Sequence, residues 1–356
     1  MLRSMYAGIS GMKNFQTKLD VIGNNIANVN TAGFKKGRVT FQDMMSQTMS
    51  GAQGPTQARG GVNPSQVGLG SQLGTIDNIH TQGFRQTTYN PLDFALEGDG
   101  MFALQNGEGI AFTRAGNFYL DQNGTIVNPD GLYLLGFGLE STTLNTTLSN
   151  EATIEITELV ETGEVIVNYS KDDVTESYTI SLDSNERVFN SEDGDTTIEF
   201  DESGTPTFTV GGNVEELELQ STTLTDSYGT EPTQLSIPDT AQSFNVQTNG
   251  IINYVDENGD TQVAGKVALA NFSNPAGLQK AGSNLFLDSE NAGFTGFVAP
   301  ETSGAASIVS GALEMSNVDL SEEFTEMITA QRAFQANTRI ITTSDEILQE
   351  LVNLKR

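Results

Sequence analysis

Apolar residues recur at steps of three and four at both ends of this chain and mostly at steps of two in its middle. Near the C-terminus Leu320, Met327, Phe334, Ile341 and Leu348 stand seven apart, an unbroken seam of about five heptads. A second seam four residues on is apolar only at its ends, Phe324 and Val352, with Gln331, Thr338 and Asp345 between them. Ile340, Ile347, Leu351 and Leu354 broaden the stripe near the end, so it is not a strict coiled-coil repeat. Asp319 followed by Glu322 has capping-box spacing, and neither Pro nor Gly interrupts residues 319–352. At about 1.5 Å per residue that is a rod roughly 50 Å long. At the other end Leu2, Met5, Ile9, Met12, Phe15, Leu19, Ile22, Ile26 and Val29 recur at helical spacing. Such helices gain most of their stability by packing an apolar face, so the two ends are expected to pair. Periodicity leaves open whether the pair closes one molecule or builds a helix layer shared between copies.

Asn24, Asn25, Asn28, Asn30, Thr31 and Gly33 end the first periodic stretch with residues tolerant of left-handed backbone. Phe34, Lys35, Lys36 and Arg38 then form a local basic patch, and Phe41, Met44 and Met45 suit a short helical turn or a packed arm. Residues 46–74, rich in Gln, Ser, Thr and Gly with Pro55 and Pro64, read as a long loop or extended arm expected to lie on a neighbouring surface. Between residues 76 and 138 short strands alternate with glycine turns. Leu92, Phe94 and Leu96 alternate, as do Phe118 and Leu120, turns fall at 121–124 and 128–131, and Phe102, Phe112, Phe118, Tyr119 and Tyr133 supply an aromatic core. Residues 165–169, 178–182, 197–200 and 207–210 are further β runs, 153–159 alternates imperfectly, and 267–272 is a strong strand beyond another turn at 256–259.

At 356 residues the chain exceeds what one core normally holds. The pattern predicts a multidomain α+β fold. Residues 1–33 and 317–356 form paired terminal helices, 34–75 an extended arm, 76–140 with 241–316 a discontinuous, mainly antiparallel β domain, and 141–240 an inserted all-β outer domain.

Charge and composition remove most chemistry. The net charge of −29 argues against nucleic acid or an anionic membrane as partner. Residues 141–240 hold 22 Asp or Glu against Lys171 and Arg187, a net −20. Cysteine is absent and His80 is the single histidine, which leaves no thiolate or multi-histidine metal site. His80 reads as a surface or packing residue. Carboxylate pairs suited to glycoside hydrolysis abound in any acidic β protein, but none here sits in an identifiable aromatic-lined site. The Asp-rich turns at 121–124 and 256–260 lack a calcium loop ending in Glu. No catalytic, metal or cofactor residue is therefore expected. No apolar run is long enough to span a bilayer, and a cleaved signal peptide is not expected.

Four stretches carry a resemblance: LDVIGNNIANVNTAGF at 19–34; NPLDFALEGDGMFAL at 90–104 with FTRAGNF at 112–118; VALANFSNPAGLQKAG at 267–282; and the tail at 311–354 with SNVDLSEEF and LVNL. In that order they resemble the bacterial flagellar rod and hook proteins, with Asn24, Asn25, Asn28, Gly33 and Phe34 inside the N-terminal signature. The tail resembles hook subunits more than distal rod subunits. The resemblance implies a subunit exported through the flagellar type III apparatus without signal cleavage. It would polymerise with its own kind into a short curved tube outside the cell that links rod to filament as a universal joint. The implied partners are rod proteins, hook–filament junction proteins, a hook cap and the export apparatus. The alternative it implies is a rigid distal rod subunit. In either, the apolar residues of both terminal helices would build the inner helical layer.

Overall fold

Asp319 opens the C-terminal helix in the computed structural model of the chain: its Oδ1 accepts the backbone N–H of Ser321 at 2.8 Å and of Glu322 at 3.3 Å. The structure describes residues 2–55, 59–107, 109–147, 153–159, 164–171, 174–181, 188–190, 196–200, 206–210, 213–215 and 223–354. Helix α1 spans Leu2–Ala27 and α2 spans Leu320–Leu354. They run antiparallel. Lys18 meets Glu326, Gly11 faces Asn337, and Gly8 faces Ile341, so positions descend on one helix as they climb on the other. The Asn-rich stretch ends α1 at Ala27, with Asn28 Nδ2 donating back to the Asn24 carbonyl at 3.0 Å, which leaves Val29 in the turn beyond.

The segment after α1 is a β-ribbon rather than a loop or a helical turn. Strands β1 (Gly37–Asp43) and β4 (Ser71–Asn78) pair antiparallel, and β2 (Ser46–Ser50) pairs with β3 (Ser65–Gly68) farther out. The base of the ribbon lies on α1, where Phe15 and Phe41 stack edge-on at 5.9 Å and Asn14 Nδ2 donates to Ser71 Oγ at 2.9 Å. Almost no apolar alternation marks these strands, because β2 and β3 are exposed along their length.

The body is one large antiparallel sheet drawn from two stretches of sequence. Its path runs Ser243–Val246, Ile251–Val255, Thr261–Val267, Tyr133–Phe137, Met101–Asn106, Gly109–Thr113, Leu285–Leu287, Gln279–Gly282. The two stretches pair where Gly136 opposes Val267, where Phe102 opposes Leu269 and where Phe112 opposes Phe286. Phe94, Phe102 and Phe118 pack together with ring centroids 5.3–6.3 Å apart, and Leu134, Ile252, Leu269 and Ile308 complete that core. Phe112 anchors a second cluster with Phe272. Phe94, Ala95 and Leu96 are all buried, so this strand is covered on both faces and does not alternate. Tyr119 and Leu120 differ from expectation: they form a two-residue edge strand and are exposed, while Tyr133 is half-buried. The turns expected at 121–124, 128–131 and 256–259 close through N–H to C=O bonds from Gly124, Gly131 and Gly259.

Within the acidic segment a five-stranded antiparallel sheet and a four-stranded one share a core of Ile154, Ile156, Val165, Val167, Tyr169, Ile180, Phe189 and Ile198. Thr153–Leu159 alternates more cleanly than its sequence suggests, with Ile154 and Ile156 inward. Leu235 and Ile237 pack instead with the body. The expected run at 178–182 is observed as Val174–Ser181, Leu182 lying outside the described residues.

Gly116 tests the packing of this body. Its carbonyl accepts the Phe94 N–H at 2.8 Å, and a Cβ there would collide with the Phe94 carbonyl. Gly116→Ala should cost roughly 3 kcal/mol by urea denaturation. Gly51→Ala, in open space, should stay within about 0.5 kcal/mol.

Candidate assembly surface and the buried junction behind it

The helix pair spends only part of the apolar surface written into its sequence. On α1 Ile22 is buried and Met5, Ile9, Met12, Phe15, Leu19 and Ile26 are half-buried, as is Val29 in the turn beyond it; the Leu2 side chain lies outside the described set. On α2 Met327, Phe334, Ile341 and Leu348 are half-buried on the side that also holds buried Ala330 and Ser344. Two glycines of α1 lie close against α2. A Cβ at Gly11 would sit 3.0 Å from the Asn337 amide, and one at Gly8 3.4 Å from Ile341.

The second α2 seam touches α1 at Thr338, whose hydroxyl donates to Met12 Sδ at 3.8 Å, but its large residues stay exposed. Phe324 and Ile328 are 49% and 54% exposed and continue from exposed Leu320 along one flank, while exposed Ile340 and Ile347 lie on the other. Val352 is exposed beyond the start of α1. Two apolar flanks thus remain uncovered after the helices have paired.

The expected basic patch divides: Arg38 is exposed and Lys35 is buried. Lys35 is 2% exposed, and its Nζ donates at 2.8 Å to Oε1 of Glu314, whose side chain is fully buried, and at 2.8 Å to the Thr81 carbonyl. Arg114 Nε donates to Oε2 of the same carboxylate at 2.6 Å. Its other nitrogens reach the carbonyls of Gly98, Gly100 and Leu96. The Gly83 N–H adds a bond to Glu314 Oε1 at 2.9 Å, and the Gly33 N–H one to the Glu314 carbonyl at 2.8 Å. Gly33 has φ +70, and a Cβ would run into the backbone at Ala115, which is why glycine follows the Asn-rich stretch.

Lys36 pairs with Glu322 at 2.9 Å and Glu323 at 3.7 Å, and Arg38 with Asp77 at 3.2 Å. Asn25, buried in α1, exchanges two bonds of 2.9 Å with the Gly37 backbone and donates to Glu323 at 3.2 Å. The Asn24 side chain accepts from Asn28 at 3.3 Å. The Phe34 ring carries the Lys280 ammonium at 5.0 Å, and Asn284 donates to the Ala32 carbonyl at 3.1 Å. These contacts fasten both helices, the ribbon and the body at one place.

Glu314 and Arg114 carry no signal in periodicity or charge runs, since they lie 200 residues apart. The available signal is an Arg and a Glu set singly within the short apolar runs FTRAGNF and GALEM. Burial alone would raise the Glu314 pKa, but Arg114 and then Lys35 hold it below the ordinary carboxylate value. Burial lowers Lys35 against the pull of Glu314. Burial, reinforced by Lys35, Lys280 and Arg114, lowers His80 to about 4. His80 is therefore neutral at pH 7, tilted against Phe286 at 5.6 Å. Among the described residues no group of three or more Asp, Glu or His is placed to hold a metal, and no helix is long and apolar enough to cross a membrane.

Glu314→Gln should leave two buried cations without their counter-charge and cost about 3–5 kcal/mol by chemical denaturation. The acid limb gives a second check. A His pKa lowered on folding means that the unfolded chain binds the extra proton below about 6.5, so stability is full above that pH and falls towards pH 4. The lowered Glu314 adds a loss below the ordinary carboxylate range. His80→Leu should flatten the decline in urea midpoint between pH 6.5 and about 4 and leave the steeper loss below it; an unchanged slope would exclude His80 as its source.

Three family models match the chain: "Flagella basal body rod protein" over residues 5–35, "Flagellar hook protein FlgE/F/G D1 domain" over 95–254, and "Flagellar basal body rod FlgEFG protein C-terminal" over 309–354. The chain is 43% identical over 357 residues to the flagellar basal-body rod protein FlgG of Bacillus subtilis, covering all of both chains. It is 37% identical over 441 residues to the flagellar hook protein FlgE of Borreliella burgdorferi, again covering all of both. A crystal structure of Helicobacter pylori flagellar hook protein FlgE2 aligns with 65% of this chain and 100% of that one at 12% identity, with a TM-score of 0.32 that is too low to bear on the fold. The first two models meet the chain where α1 and the signature turn lie and where the body and its acidic segment lie, and the third covers α2 with the strand that carries Glu314. The chain belongs to the flagellar rod and hook axial proteins, a structural family without enzymatic chemistry.

Proposed function

We propose that this chain is the repeating subunit of a flagellar hook, polymerising into a short curved tube that joins rod to filament and transmits torque. The observation that carries the reading is the pair of apolar flanks on α2, Leu320, Phe324 and Ile328 on one side and Ile340 and Ile347 on the other, left uncovered once α1 is in place. In this reading the helix pair forms the inner layer, the body packs outside it, and the acidic segment is an outer domain. Its own core supports that last assignment, and its charge keeps outer segments of neighbouring copies apart. The partners in this reading are other copies, rod and hook–filament junction proteins, a hook cap during assembly and the export apparatus.

A second reading, a distal rod subunit forming a rigid shaft, is favoured by the Bacillus subtilis rod relative, which matches end to end. The alignment to the Borreliella burgdorferi hook relative, by contrast, is longer than this chain. Labelling of a tagged chain in isolated flagellar basal bodies separates the two: label along the curved segment beyond the rod is expected, and label confined to the straight rod would establish the shaft. Phe324→Asp should leave the subunit's melting curve unchanged, because the ring is half exposed, and should abolish tube formation. Assembly of Phe324→Asp at the wild-type concentration would remove this flank from the interface.

A further inference from the structure

Asparagine followed directly by glycine occurs four times, at 106–107, 123–124, 249–250 and 258–259. Such a pair can react with itself in water. The glycine nitrogen attacks the asparagine Cγ and closes a five-membered ring, unhindered because glycine carries no side chain. The reaction asks two things of the fold: a glycine N–H that is not already donating, and an asparagine amide free to turn towards it. An engaged N–H must first give up its partner.

Three of the four pairs are tied. The Gly124 N–H donates to the Asp121 carbonyl at 2.9 Å, and the Ile237 carbonyl fills the space beside it. The Gly250 N–H donates to the Gln247 carbonyl at 3.0 Å under the Pro300 ring, while Asn249 Oδ1 accepts the Ile251 N–H at 3.1 Å. The Gly259 N–H is held by the carbonyl of Asp256 at 3.2 Å and by its Oδ1 at 3.1 Å, and Asn258 Nδ2 donates to Asp256 Oδ2 at 3.4 Å.

The fourth pair differs. Asn106 ends the body strand Met101–Asn106, opposite Gly109, and Gly107 turns the chain at φ +63. Both are exposed, and the space around Gly107 is open. Among the described residues neither the Gly107 N–H nor the Asn106 side-chain amide has a hydrogen-bond partner.

We propose that Asn106–Gly107 is a self-modification site, at which the folded chain deamidates ahead of its other Asn–Gly pairs with water as the only co-reactant. A solvent base removes the Gly107 amide proton, the nitrogen bonds to Asn106 Cγ, the Cγ–Nδ2 bond breaks, and Nδ2 leaves as ammonia. Water then opens the succinimide. Opening at Cγ gives aspartate; opening at the backbone carbonyl gives isoaspartate, whose main chain is one methylene longer. Nothing is oxidised or reduced. Either product places a carboxylate next to Gln105, whose Oε1 accepts Gln234 Nε2 at 2.8 Å, and isoaspartate also breaks the register of the last pair in the hairpin. The modified fraction rises with the age of the molecule.

The test incubates the folded full chain at mildly alkaline pH in water enriched in heavy oxygen and follows its peptides by mass spectrometry. The peptide carrying Asn106 should exchange its amide nitrogen for one heavy oxygen at least about fivefold faster than those carrying Asn123, Asn249 and Asn258, the factor one net hydrogen bond is worth. Fragmentation should place isoaspartate at 106. In urea, where the fold holds no amide, the four rates should converge. Equal rates in the folded chain, or a slower rate at 106, would overturn the proposal, as would a ranking that urea leaves unchanged, since local sequence and not the fold would then set it. Asn106→Gln, whose side chain would have to close a six-membered ring, should abolish the exchange in that peptide and leave the melting curve in place; exchange persisting there would overturn the assignment to Asn106.

Discussion

The arrangement of this molecule depends on one buried carboxylate. Glu314 accepts from Lys35, Arg114 and the Gly83 backbone, and those donors come from the segment after α1, from the end of the body strand Gly109–Thr113 and from the connection that leads into β5 (Arg85–Thr87). A carboxylate taken fully out of water is costly unless its oxygens are satisfied and its charge is matched. Here the match requires groups 279 and 200 residues away in sequence, so the charge is accommodated only when the chain's two ends and its middle meet. Hydrophobic burial supplies the bulk of the stability, but it is non-directional. The fork of Arg114 and the point charge of Lys35 supply direction, and they fix where the helix pair leaves the body.

The terminal helices were legible in sequence because an amphipathic helix must show its apolar face every three or four residues. The body strands were legible for a similar reason, through β-branched and aromatic runs between glycine turns. The ribbon was not. Its strands bury little, so they show no alternation, and Gln, Ser, Thr and Gly read equally well as loop. The contact of Gly8 and Gly11 with α2 was hidden too, since glycines interrupt a hydrophobic pattern rather than extend it. The burial of Lys35 was not legible in its basic run, because charge in sequence does not reveal depth. Tyr119 and Leu120 fit a core pattern by composition and fall on an edge, where alternation has no second layer to face.

Assembly extends the same physics to a larger scale. Inside the subunit, α1 covers one face of α2 and leaves a flank exposed on either side; the ribbon base covers α1 and leaves its tip bare. The two apolar flanks are modest, and both are held on a helix whose opposite face is packed. Pre-organisation of this sort lowers the entropy that association must overcome. The strong acidity of the rest of the chain favours contacts made through residues 44–76, which hold no Asp or Glu, so that approach is not opposed by like charge.

The central claim is that the Glu314 junction and the body form one cooperative unit. Native-state hydrogen exchange at the amides of Gly33 and Gly83, which donate to the Glu314 carbonyl and carboxylate, addresses it most directly. The account predicts that both exchange only through global unfolding, with the same denaturant dependence as the amide of Phe94 in the body core. Exchange of Gly33 and Gly83 through a low-energy local opening, while Phe94 stays protected, would show that the junction opens independently of the body and would contradict it.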